Sequence, residues 1–198
     1  MTAKEMKQKT FALIEEYYPD APLLAEDEDV LNKINGVINS VQMDLMKYRK
    51  VNSSYTYEIG ANDDKVIDLT LMLNDCYQIR KIVMDGTDEE YDMPNEDTLV
   101  LSDDFEGNVT IYYYKYPTQM DLFFDTEEEA KKYDEEFEFD VDTMCQEIMP
   151  YGIAADLLKM DMISNYGTYF ANRYAEMKQT LDMRKTGGII SITGGADI

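Results

Sequence analysis

The chain is 198 residues long and carries 41 Asp and Glu against 18 Lys and Arg, a net charge of -23, with no His and no Trp. That balance excludes affinity for bare nucleic acid or an anionic membrane as a default expectation. The missing imidazole removes Ser-His-Asp and Cys-His nucleophile pairs and His-ligated zinc. Two cysteines, Cys76 and Cys145, are too few for a disulfide framework or a thiolate metal site and read as core thiols.

Thr2 and Glu5 have capping-box spacing, and Met6, Thr10, Leu13, Ile14 and Tyr17 follow at helical spacing until Pro19 and Pro22. This start lacks the apolar core of a signal peptide, and no stretch of the chain approaches a membrane span, so a soluble protein made in a cytoplasm is expected. A second helix follows, with Val30, Leu31, Ile34, Val37, Ile38, Val41, Leu45 and Tyr48 on one stripe behind acidic Asp27 to Asp29. Lys47, Arg49 and Lys50 close it, as cations favour a helix C-terminus.

From residue 53 the period shortens to 2. Tyr55, Tyr57 and Ile59 alternate with polar neighbours, then Ile67, Leu69 and Leu71, then Tyr77, Ile79, Lys81 and Val83 up to the Asp85-Gly86 turn. Short runs near Tyr91 and at 98–101 precede a last strand from Asn108 to Tyr114. About six antiparallel strands are expected, forming a small sandwich or barrel between helical segments.

Residues 84–147 then concentrate the charge, with 22 acids and 3 bases, and 18 residues from Asp125 to Asp142 alone hold ten acids and two lysines. Such a run is commonly solvated surface, and the functional alternatives are a divalent-cation site or a surface that repels a polyanion. Past it, Met144, Ile148, Tyr151, Ala155, Leu158 and Met162 keep helical spacing across Pro150, which should kink the helix or start a new one. Tyr166 to Leu181 form a last aromatic-rich helix, ended by Gly187 and Gly188. The tail holds Ile189, Ile190 and Ile192 between Gly pairs, a β-prone segment that gains by pairing with a sheet edge.

Enzyme motifs fail. Lys185-Thr186-Gly187 has no S-x-x-K partner, the glycines match no phosphate loop, and Asp140, Asp142 and Glu147 match no calcium loop. No catalytic, cofactor-binding or metal-ligating residue is assigned, no cofactor is expected, and the chain is read as a non-enzyme.

The order of elements, with GNVTIYYYKYPTQM closing the β module and EIMPYGIAADLLKMD opening the C-terminal helices, resembles the head-tail connector (adaptor) proteins of tailed bacteriophages. Gly107, Tyr112, Tyr113, Tyr114, Tyr116 and Pro117 fit the family's Tyr-rich last strand loosely. Pro150, Tyr151, Ala154, Ala155, Leu157, Leu158 and Asp161 stand where the family's following helix has a Pro-Tyr pair, small residues and Leu-Leu-x-x-Asp. The resemblance implies a structural virion protein of the neck, present in the host cytoplasm before assembly. It implies an oligomeric ring, usually of twelve copies, beneath the portal protein, in contact with tail or neck proteins. DNA would pass through that channel without sequence-specific binding, and no membrane would be involved. Another neck or tail-completion component, or a free acidic module binding divalent cations or mimicking nucleic acid, are the alternatives.

The expected fold is therefore α+β: a helical bundle of two N-terminal and two C-terminal helices, an inserted small antiparallel β module, and an extended C-terminal tail. Residues 1–50 give the N-terminal helices, 51–117 the β module, 118–141 an acidic loop, 142–186 the C-terminal helices and 187–198 the tail. Pro150, Tyr151, Ala155 and Leu158 are expected in the core, and Glu127, Glu128, Glu129, Glu135 and Glu136 at the channel or its rim. Gly187, Gly188, Ile189, Ile190 and Ile192 are expected to dock on the portal.

Overall fold

A computed structural model describes residues 1–17, 28–85, 91–159 and 165–183. The elements in chain order are α1 (Ala3–Tyr17), α2 (Glu28–Leu45), β1 (Val51–Ile59), β2 (Val66–Asp68), α3 (Leu69–Met72), β3 (Cys76–Met84), β4 (Asp92–Asn95), β5 (Thr98–Val100), β6 (Gly107–Lys115), α4 (Glu127–Glu136), α5 (Thr143–Lys159) and α6 (Tyr166–Met183). The fold is α+β, in two compact units. The described residues within 1–49, 120–139 and 143–198 form a helical unit from the N- and C-terminal parts of the chain, and those within 50–119 with 140–142 form a β unit.

In the helical unit, Thr2 and Glu5 make the reciprocal capping box. The Thr2 N–H donates to Glu5 Oε2 at 3.0 Å, and the Glu5 N–H donates to Thr2 Oγ1 at 3.3 Å. The centre of the unit is α5, which packs against α1, α2 and α6. Its apolar residues occur all round, and Cys145, Ile148, Met149, Ile153, Ala154, Ala155, Leu157 and Leu158 are buried, as expected of a helix wrapped by others. Helix α5 runs through Pro150, which is itself buried, so of the two expected outcomes, a kink or a new helix start, the new start does not occur there. Gly152 is required by the packing, because a Cβ there would lie 2.9 Å from the Tyr174 ring and 3.0 Å from Val41 Cγ1.

The span read as an acidic loop contains α4, which packs against α1. Thr126 caps it by accepting from the Glu129 N–H at 3.2 Å, and Glu127, Glu128 and Glu129 occupy the turn where carboxylates favour the helix dipole. Lys131 to Glu127 and Lys132 to Glu136, at 3.3 and 3.7 Å, add i,i+4 pairs. Local helix chemistry thus offsets the repulsion that suggested a loop.

The β unit holds two three-stranded antiparallel sheets, ordered β1-β6-β3 and β2-β5-β4. One core draws on both, including Ile59, Ile67, Leu99, Val109, Ile111 and Tyr113. Two expectations fail here. Leu69 and Leu71 do not continue β2, because Asp68 accepts from the Thr70 N–H at 2.9 Å and its hydroxyl at 2.6 Å, starting the single turn α3 and leaving Leu71 exposed. The Ile79, Lys81, Val83 alternation also breaks, because a register shift between Ile79 and Lys81 turns Ile82 and Met84 to the core instead. At the end of β3, Asp85 adopts a positive φ of 42° and accepts from the Asn108 N–H at 2.8 Å, while neighbouring Gly107 has φ 144°, where a Cβ would strike the Asp85 carboxylate.

Candidate functional site

The five glutamates expected at a channel do not form one cluster. Glu127, Glu128 and Glu129 lie in the first turn of α4 and Glu135 and Glu136 in its last, about 10 Å apart along the axis. All five are exposed. The last turn carries acids where the helix dipole disfavours them, and α1 supplies the compensation. Lys4 donates to Glu135 at 2.7 Å, a hydrogen bond and charge attraction that raise the Lys4 pKa and lower that of Glu135. Beside it, Lys7 donates to both oxygens of Asp134 at 2.8 and 2.7 Å. Glu135 is therefore held within the unit, and Glu127 and Glu136 face lysines of their own helix. Among the described residues, Glu128 and Glu129 have no ionic partner.

Aromatic rings seat this helix. Phe124, Tyr133, Phe137 and Phe139 follow one another at centroid distances of 4.9, 5.4 and 5.2 Å, and Tyr133 Oη accepts from the Asp121 N–H at 2.9 Å. Burial raises the Tyr133 phenol pKa, and the Asp121 and Asp134 carboxylates add to the rise. Just before α4, Leu122 and Phe123 stay in solvent, Phe123 at 90% exposure.

Of the carboxylates considered for a metal, Asp140 has another use. Asp140 meets the Lys115 ammonium at 2.7 Å and accepts from the Thr118 hydroxyl at 2.9 Å. Among the described residues, no group of three or more Asp, Glu or Cys side chains is arranged to hold a metal ion.

A cavity of about 520 Å³ opens between α2, α5 and α6, floored by Gly152, Ala155, Ala171 and Ala175. At its edge, Asp44 accepts from Lys178 at 2.6 Å and from the Tyr174 hydroxyl at 3.1 Å. Burial and the Asp44 carboxylate push the Tyr174 phenol far above its ordinary value. The cluster ties α6 to α2 and leaves the charges mutually neutralised.

Of the family-like positions, Pro150, Ala155 and Leu158 are buried, and the half-buried Tyr151 ring lies 6.4 Å from Phe170. Gly187, Gly188, Ile189, Ile190 and Ile192 lie outside the described residues. Cys145 is buried and Cys76 is half-buried, its thiol pKa raised by burial and by Asp75.

Sequence reasoning missed the solvent side of the β1-β6-β3 sheet. Lys50, read as part of a helix C-terminus, belongs to the β unit, since α2 ends at Leu45. Its ammonium lies 4.6 Å from the centroid of Tyr114 and 5.1 Å from that of Tyr77. The signal available was the Tyr-rich run of β6, whose alternate residues must face outward if Val109, Ile111 and Tyr113 face the core.

Among the described residues, no helix is long and apolar enough to cross a membrane. No protein-family model matches the chain, and no curated protein matches it in sequence.

Proposed function

We propose that this chain is a head-tail connector (adaptor) of a tailed bacteriophage, a structural component of the neck that forms a ring beneath the portal protein. The observation that carries it is the chain path: the N-terminal helices α1 and α2 and the C-terminal helix α6 build one helical unit around α5, and an antiparallel β module is inserted between α2 and α5. That is the arrangement the resemblance implies. The Tyr-rich β6 as central strand of its sheet and the buried Pro150 within α5 support it further.

The physics suits a channel component. A ring of subunits each carrying -23 repels phosphate at short range, while salt confines the effect to about 8 Å, so DNA is not held as it passes. No catalysis is part of this role, and the partners are the portal, further copies of the chain and the next neck or tail protein. The test is to mix the purified chain with the portal protein of the phage that encodes it. A portal-bound ring of this chain is the expected product, and a chain that leaves the portal bare at every concentration would contradict the proposal.

A further inference from the structure

The β unit has 17 acids and five basic residues, and four of those five lie in or beside the strands of one sheet. Register places Asn52, Tyr114 and Gln78 side by side across β1, β6 and β3, and Ser54, Tyr112 and Lys81 in the next row. The opposite face carries the buried Val109, Ile111 and Tyr113, so these rows face outward. Two cations cross them. Arg80 reaches from β3 to donate to Asn52 Oδ1 at 2.7 Å, its guanidinium 4.9 Å from the Tyr114 centroid. Lys50 reaches the other way, donating to Gln78 Oε1 at 2.8 Å over the rings of Tyr114 and Tyr77.

Both cations thus rest on neutral amides and aromatic faces, and among the described residues neither has a carboxylate partner. Several cations of the helical unit, by contrast, pair with carboxylates: Lys4, Lys7, Lys131, Lys132 and Lys178. Around the cations, Tyr77, Tyr112 and Tyr116 are each more than two-fifths exposed. The surface offers two positive charges backed by rings, flanked by further aromatic area.

The matching chemistry is carried by the chain itself. Leu122 and Phe123 are exposed, Asp125 follows, and Glu128 and Glu129 project from α4 without ionic partners. We infer that the outer face of the β1-β6-β3 sheet docks the segment 122–129 of a second copy of this chain, with Lys50 and Arg80 meeting Glu128 and Glu129 and the tyrosines covering Phe123. Nucleic acid is the weaker occupant. Tyr114 is already overlain by two cations, which obstructs base stacking, and a phosphate strand would approach a molecule of charge -23. A second copy carries the same net charge but brings its aromatic and acidic groups in one short segment.

Because the two surfaces are different patches, the contact is heterologous, the type that closes rings or extends as filaments. The docking rests on the ring proposed above and names the surface that would make it. Like-charged subunits joined this way should associate through a short-range match opposed by long-range repulsion, so the charge match at the contact must be specific.

The experiment is sedimentation of the full chain from micromolar to millimolar concentration at low, moderate and high salt, with two charge-reversed variants. Lys50→Glu with Arg80→Glu, and Glu128→Lys with Glu129→Lys, should each weaken self-association by roughly tenfold or more. An equimolar mixture of the two variants should regain association with each other. Circular dichroism checks folding, and Lys50→Gln with Arg80→Gln replaces the first variant if it fails to fold. A wild-type chain that stays monomeric throughout, association unmoved by either variant, or a mixture that does not regain association would overturn the docking. So would a single-stranded oligonucleotide bound by the wild type and released by Lys50→Glu with Arg80→Glu. A neck ring whose subunits meet elsewhere would refute this docking and leave the connector role standing, whereas absence of the chain from the neck would refute the role itself.

Discussion

Lys7 and Asp134 stand 127 positions apart in sequence, yet the ammonium donates to both carboxylate oxygens at 2.8 and 2.7 Å. Only 15% of the lysine side chain and 18% of the aspartate side chain remain exposed, so water screens this pair far less than the neighbouring Lys4–Glu135 pair at 51% and 58%. Lys7→Met should therefore destabilise the helical unit by roughly 1–3 kcal/mol, mostly by leaving Asp134 without its donor, while Lys4→Met should cost much less. Urea unfolding of both variants checks the order. Equal losses would show that burial does not separate the two pairs.

Helix α5 makes a second prediction. Leu158 is 4% exposed, and Leu158→Ala should cost about 2–5 kcal/mol, depending on how far the site collapses. Gly152→Ala should also destabilise although it adds only one methyl, since the new Cβ would press the Tyr174 ring and Val41. Thermal melting reads both. An unchanged midpoint for Leu158→Ala would mean that this end of α5 is not core.

The N-terminal part of this packing was legible and the acidic part was not, for reasons the residues give. The Thr2 and Glu5 capping box is local, and its two hydrogen bonds follow from spacing alone. Thr126 and Glu129 repeat that spacing at the start of α4, but ten acids in 18 residues mask the cap behind a pattern that reads as mutual repulsion. The α4 site also depends on Lys4 and Lys7, which sequence proximity does not suggest. In β3, the alternation misled because a bulge changes which side chains face inward, and a period-2 pattern cannot register an inserted residue. The cation and tyrosine face was hidden for a different reason: Lys50, Arg80 and Tyr114 meet only once β1, β6 and β3 are paired.

Stability should fall in acid partly through Asp44. Burial would raise its carboxyl pKa, but Lys178 at 2.6 Å and Tyr174 at 3.1 Å prevail and hold it below its ordinary value of 3.8. A group depressed in the folded state contributes stability above its unfolded pKa and loses it as pH falls through the folded value. The gap in urea midpoint between wild type and Asp44→Asn should thus be widest near neutrality and narrow from about pH 4 downward. A gap that stays constant into acid would show that the Asp44 charge contributes nothing.

The connector role itself is tested most directly by a cryo-electron microscopy reconstruction of the neck in particles of the phage that encodes this chain. The account predicts a ring of copies directly beneath the portal, into which the helical unit around α5 and the two-sheet β unit each fit as described. Purified, infectious particles that lack the chain, or a neck in which no ring accepts these two units, would contradict it.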